Sequence, residues 1–205
     1  MQPSLDSDRH WFIVSRWQEF SGEARANLLR VLAIIVFYSI QLYQRPGTVH
    51  GTSPEFHRQA TLVAVAWSLI SLAVLLCLQR RIFPSLLKYV VSTFDVVLLT
   101  VLAMIAGGPA SPLIHIYYLI IALAALRVSV GLTWYTTLAS MLGYLALVAK
   151  ADSTWFDAVH TTPVVNQLMM LACLGITGIV IGQVVRQQRS LATAFAERRA
   201  AGITK

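Results

Sequence analysis

Apolar residues in this chain gather in long blocks, without the alternation of a half-buried strand or the narrow stripe of a surface helix. The blocks fall at residues 28–43, 60–78, 89–106, 112–128, 132–149 and 163–185. A helix that crosses a bilayer uses roughly 20 apolar residues. The pattern therefore predicts an all-α integral membrane bundle of about six transmembrane helices. The first block is short for a crossing, and the helix-favouring residues ahead of it lengthen it. Turn chemistry stands where the connections should be: Arg45-Pro46-Gly47, Arg81 through Pro84, Gly107-Gly108-Pro109-Ala110-Ser111-Pro112, Ser129 to Gly131, and Thr161-Thr162-Pro163.

The same pattern divides the chain into a cytoplasmic or interfacial amphipathic segment (1–27), the six-helix domain (28–185) and a cytoplasmic exit helix (186–205). The segment around Trp11, Phe12, Arg16, Trp17, Glu19 and Phe20 mixes aromatic rings with charge. Trp and Tyr favour the headgroup level, so one reading is a helix lying on the inner leaflet. The other is that this segment prolongs the first span into the cytosol. At the far end, 183–201 is polar and helix-favouring, with Val184, Leu191 and Phe195 near helical spacing. It should continue the last span as a helix.

Composition strengthens the membrane reading. Of 205 residues, 57% are hydrophobic and 12% charged, and the mean hydropathy is +0.66. Soluble domains sit near ~45–50% apolar and ~25% charged. Six spans use up the length, so no separate soluble domain fits. Cys77 and Cys173 lie inside apolar blocks and read as small packing residues, not as a disulfide. Early acidic residues, Asp6, Asp8, Glu19 and Glu23, argue against a cleavable signal peptide.

Charge then sets the orientation. With the N-terminus inside, the cytoplasmic segments hold Arg9, Arg16, Arg25, Arg30, Arg80, Arg81, Lys88, Arg127, Arg186, Arg189, Arg198, Arg199 and Lys205. That is 13 of the 16 basic residues, leaving Arg45, Arg58 and Lys150 outside. Short cytoplasmic loops carry such an excess, so both termini are expected in the cytoplasm. The net charge of +7 suits an anionic inner leaflet. Dispersed at helix ends, these cations make no patch for nucleic acid.

Against the apolar background a few side chains stand out. Asp95 lies inside the third span, where a carboxylate costs a few kcal/mol and usually faces a partner. Arg127, at the cytoplasmic end of the fourth span, is its natural partner. A bond from Asp95 to Thr93 or to a neighbouring helix is the alternative, and a signalling or proton-linked role is a further one. His115 is the one histidine in a span, beside Tyr117 and Tyr118. It either lines an outward pocket or is satisfied at the interface. A bis-histidine haem needs two facing histidines at suitable depths, so no cofactor is expected. His50 and His57 share the first outer loop with Glu55, and His160 shares the third with Asp152 and Asp157. Their spacing matches no metal motif, and no metal site is expected. Gly178 and Gly182 form a GxxxG pattern with Gly175 one turn back, which lets helices approach closely, within the chain or in a homodimer. No phosphate-cradling loop, HExxH, CxxC or pair of buried carboxylates is present, and the halves show no repeat. No enzymatic activity is expected.

The stretch from Ser92 through Asp95 and Gly107-Gly108-Pro109-Ala110-Ser111-Pro112 to Tyr117-Tyr118 and Ala124-Ala125-Leu126-Arg127 resembles bacterial membrane sensor regions. These multi-helix domains precede histidine kinases of the type IV pilus sensor kind, some class III adenylate cyclases and membrane-bound serine/threonine kinases. The likeness runs over 95–127 and weakens through Tyr144 and the last span. It implies a two-component-type sensor in a bacterial inner membrane, coupling a membrane or external stimulus to a cytoplasmic output domain. The sequence ends at Lys205, where that family continues into a kinase or cyclase. The expectation is either an output domain beyond it or a standalone accessory subunit of a larger membrane complex. The lipid bilayer, a second copy of the chain or other membrane subunits are the expected partners.

Overall fold

The computed structural model describes residues 4–43, 54–80, 86–151 and 163–203, and side chains within these except at 4–20, 41 and 195–203. Six α-helices carry the described chain: α1 Ser4–Tyr43, α2 Pro54–Gln79, α3 Leu87–Ile105, α4 Ile116–Ala125, α5 Val130–Ala151 and α6 Val164–Ile203. Two short 3₁₀ turns, Gly108–Ala110 and Pro112–His115, precede α4, and no strand occurs among the described residues. The protein is all-α. Four helices, α2, α3, α5 and α6 over Val164–Ala194, are long and apolar enough to cross a membrane. Only 22% of the most apolar part of α2 is buried. So much exposed apolar surface calls for lipid around it.

Two expected spans take a different form. The first block belongs to one uninterrupted helix of 40 residues, so the aromatic segment at 11–20 and the apolar run from residue 28 share an axis. The fourth, expected over 112–128, is a 3₁₀ turn and a ten-residue helix closed by a turn at 126–128. Pro112–Ala125 falls short of the ~30 Å hydrocarbon core even if all 14 residues were helical, at ~1.5 Å each. Pro112 and the cap at Ser111, whose Oγ accepts from Leu113 N at 3.3 Å, keep the entry in the tighter 3₁₀ form. Gly107 and Gly108 have φ of +102° and +69°, conformations that glycine adopts without strain. The expected turn there is thus formed by the residues that predict it.

The chain divides into two compact units, Met1–Val91 and Ser92–Lys205. In the first, α1 packs on α2. Ala60, Val63, Ser71, Val74 and Leu78 of α2 are buried at spacings of three, eight, three and four residues, which keep them on one helical face. Val74 and Leu78 meet Val91 and Leu87 in a small apolar cluster. In the second unit α4, α5 and α6 pack on one another. Leu99, Tyr117, Ile121, Leu132, Tyr144, Leu147 and Leu174 form its closed centre. Among the expected packing residues, Cys77 is half-buried, but Cys173 is exposed. The turns at 45–47, 81–84 and 161–162, the residues His50, Asp152, Asp157 and His160, and the side chains of His10 and Phe195 lie outside what is described.

Candidate functional site

The sharpest polar feature gathers on one face of α3. Ser92, Asp95 and Leu99 are spaced by three and four residues, so they stack on one side of the helix. Ser92 and Asp95 are each only 3% exposed, and Arg127, in the turn after α4, is 5% exposed. Arg127 Nη1 donates to Ser92 Oγ at 2.9 Å. The guanidinium is thereby delivered to the α3 face that carries the carboxylate. Isolated, each of these buried charges would cost several kcal/mol. One residue along α3, Thr93 shares a 2.7 Å hydrogen bond with Tyr135 OH of α5.

The backbone beside Arg127 is unusual. Sequence places the reversal between α4 and α5 at Ser129 to Gly131, but it comes earlier, at Val128, whose φ is +49°. Gly131 already sits in the first turn of α5. The last amides of α4 tighten into i→i−3 bonds, Arg127 N to Ala124 O at 3.3 Å and Val128 N to Ala125 O at 2.9 Å. The freed Val128 carbonyl accepts from Arg189 Nε of α6 at 2.7 Å.

A second polar layer lies further along α3. Thr100 Oγ1 donates to Val96 O at 2.7 Å, which leaves Tyr117 OH to donate to Thr100 Oγ1, also at 2.7 Å. Gly143 of α5 lies against this pair. A Cβ there would stand 2.8 Å from Thr100 Oγ1, 3.0 Å from Tyr117 OH and 3.2 Å from Val96 Cγ1. Gly143 is thus a continuous helical position and a close-packing point. Along α5, Thr133, Thr136, Thr137 and Ser140 make a buried hydroxyl stripe. Thr133 and Thr137 bond back to Ser129 O (3.1 Å) and Thr133 O (2.8 Å).

His115, Tyr117 and Tyr118 do not form one site. Tyr117 is fully buried toward α3, whereas Tyr118 OH donates to Met170 Sδ of α6 at 3.3 Å. Adjacent helix positions point about 100° apart, which separates them. His115 is exposed at the start of α4; its Nδ1 donates to Pro112 O at 3.0 Å and its ring tilts over Tyr118. The glycines also part company. Gly178 is pressed against the Thr137 side chain, and a Cβ at Gly182 would come 3.8 Å from Trp134 Nε1, both on α5 of the same chain. Around Gly175 a Cβ would meet nothing within 4 Å. The close-approach face is therefore filled by α5.

In the first unit the structure holds a polar stripe that sequence reasoning assigned to the cytoplasm. Glu23, Asn27 and Arg30 are 2%, 6% and 2% exposed. Arg30 Nη1 donates to Asn27 Oδ1 at 3.0 Å, and Asn27 Nδ2 donates to Ser71 O of α2 at 3.2 Å. Their spacing, 23, 27 and 30, was the available signal, since it puts all three on one helical face. His57 lies within α2, not in an outer loop. Its carbonyl accepts from Thr61 Oγ1 at 2.8 Å, and its ring stacks on Tyr38 with centroids 6.5 Å apart. Among the described residues no three His, Cys, Asp or Glu side chains cluster as metal ligands would.

The polar groups of the second unit thus bond helix to helix: α3 to the turn after α4, that turn to α6, α3 to α5, and α4 to α6. Such bonds fix the positions of these helices relative to one another. Compared with protein families, with characterised proteins and with solved structures, the chain finds no match.

Proposed function

We propose that this chain is a non-catalytic membrane module that senses a stimulus at or within the bilayer and passes it to a cytoplasmic output through α6. The observation that carries the reading is α6 itself, one uninterrupted helix over Val164–Ile203 whose apolar part is long enough to cross a membrane and whose remainder continues as polar helix. An unbroken helix conveys a rotation or a shift along its length. The charges buried at Asp95 and Arg127 support it too, because ionisable residues within spans are functional candidates by default. So does the likeness of 95–127 to bacterial sensor regions.

In this reading the chain crosses a bacterial inner membrane six times, α1 and α4 included, with both ends cytoplasmic. α4 is short, but irregular backbone at membrane depth is tolerated where protein surrounds it, and Ile116, Tyr117, Ile120, Ile121, Leu123 and Ala124 are all buried. Arg30 and Arg127 are buried and drop out of the charge count. Of the other 14 basic residues, 11 still fall on the cytoplasmic side. A reporter fused after Lys205 should be active only in the cytoplasm and a tag beside Ser53 reachable only from outside; the opposite pattern overturns the orientation.

The sensing test is a chimera. A histidine-kinase core is joined to α6 in helical phase, and one-residue insertions rotate it by about 100° each. Kinase output should cycle with phase and shift with Asp95→Asn. A flat response to both, together with a second polypeptide co-purifying in fixed stoichiometry, would replace the sensor with an accessory subunit. A working homodimer would pair through another face than the glycines, with cysteine crosslinks at the exposed Val184 and none at the buried Val185.

A further inference from the structure

Val128 is the one non-glycine residue with positive φ among the described residues. A β-branched side chain is a true outlier there, because its Cβ crowds the neighbouring carbonyl. The place it fills, just past a helix C-terminus, is ordinarily glycine's. Strain of this kind persists only where surrounding contacts over-determine it. Two arginines supply such contacts, one held on α3 and one on α6. Arg127, the preceding residue, is seated on Ser92 of α3. Arg189 clasps the Val128 carbonyl from α6, one turn beyond Val185. From Arg186 to Ala194 every residue of α6 is exposed, so this clasp anchors a stretch that packing does not hold.

We infer that the Arg127–Val128 peptide is a latch, through which the seat of Arg127 on α3 controls the position of α6 where it leaves the core. With Arg127 seated, Val128 is held left-handed and its carbonyl faces Arg189. When Arg127 leaves Ser92, Val128 relaxes to negative φ, the carbonyl turns away and the exposed stretch of α6 is freed. The latch rests on the sensing reading only in taking α6 as the output, and its test reads no signal.

The test measures the distance between spin labels at Leu138 on α5 and Ser190 on α6, in the full chain in lipid nanodiscs with Cys77 and Cys173 replaced by serine. Ser92→Ala and Arg189→Gln should each broaden the distance distribution, although Ser92 is on neither labelled helix. Ser92→Thr, which keeps the hydroxyl, should leave it narrow. Val128→Gly removes the strain that drives release, so adding Ser92→Ala to it should broaden the distribution less than Ser92→Ala does alone. A distribution that ignores Ser92→Ala, or that broadens equally with and without Val128→Gly, overturns the latch. A latch that behaves as expected in a chimera with flat kinase output would remove the sensing reading and leave the latch standing.

Discussion

Gly143→Ala is the smallest change that should unsettle the core of the second unit. In water, alanine in a helix interior is favoured over glycine by about 1 kcal/mol. Within lipid that gain shrinks, because the unassembled span is already helical. The added methyl must fit 2.8 Å from Thr100 Oγ1 and 3.0 Å from Tyr117 OH. Both atoms belong to a buried hydrogen bond and neither is the free end of a flexible chain. Overpacking of this kind costs about 1–3 kcal/mol, and stretching the Thr100–Tyr117 bond adds about 1 kcal/mol. The net expectation is a loss of roughly 2 kcal/mol, set by adding these terms and subtracting part of the helix gain. Thermal unfolding in a mild detergent, followed by size-exclusion of the surviving fraction, measures it. Gly175→Ala is the matched control, since its Cβ would meet nothing within 4 Å. It should unfold at or slightly above the parent temperature. Equal stability of the two variants, or Gly143→Ala above the parent, would refute the close-packing argument.

Gly178→Ile should lower the folded yield by prising α5 from α6 at Thr137, and crosslinking of the remaining folded fraction should show unchanged oligomeric state. Asn27→Ala removes the bridge from α1 to Ser71 O and the acceptor of the Arg30 Nη1 hydrogen bond, and should cost about 1–3 kcal/mol in the same melting assay. A loss no greater than that of an exposed control such as Ser39→Ala would count against a buried polar seam. Arg127→Met keeps bulk but deletes the bond to Ser92, so it should destabilise the fold, and more so than Lys88→Met at a half-buried cation.

Block hydrophobicity made the membrane class and most helices legible, because the hydrocarbon core imposes a length that the sequence must meet. The Gly107-Gly108 turn was equally plain, since both residues have the positive φ that glycine is chosen for. Where the reading faltered, tertiary packing decided. Nothing in 112–128 signals that its helix starts at Ile116 after a 3₁₀ turn and stops at Ala125, as a valine adopts the terminal conformation expected of glycine. At the candidate site, burial of Asp95 was readable from its position inside a span, yet burial of Arg127 and Ser92 as its acceptor were not, because a serine in a span gives no sign of whom it meets. Arg30 was counted among the cytoplasmic cations; only the partner helix reveals that a charge on 23–30 points inward. The GxxxG spacing foretold a close approach but not which helix makes it.

The shortness of α4 bears on how the chain is made. A segment of 14 residues, opened by a 3₁₀ turn and closed by a strained one, is a poor candidate for leaving the translocation channel into lipid alone. The Tyr117 hydroxyl and Arg127 find acceptors on α3, the Tyr118 hydroxyl finds one on α6, and the core that α4 fills is completed by α5 and α6. If α4 crosses as proposed, its integration waits until later helices emerge. Ribosome-stalled chains ending before α5 should hold α4 in a protease-sensitive state that synthesis of α5 and α6 resolves.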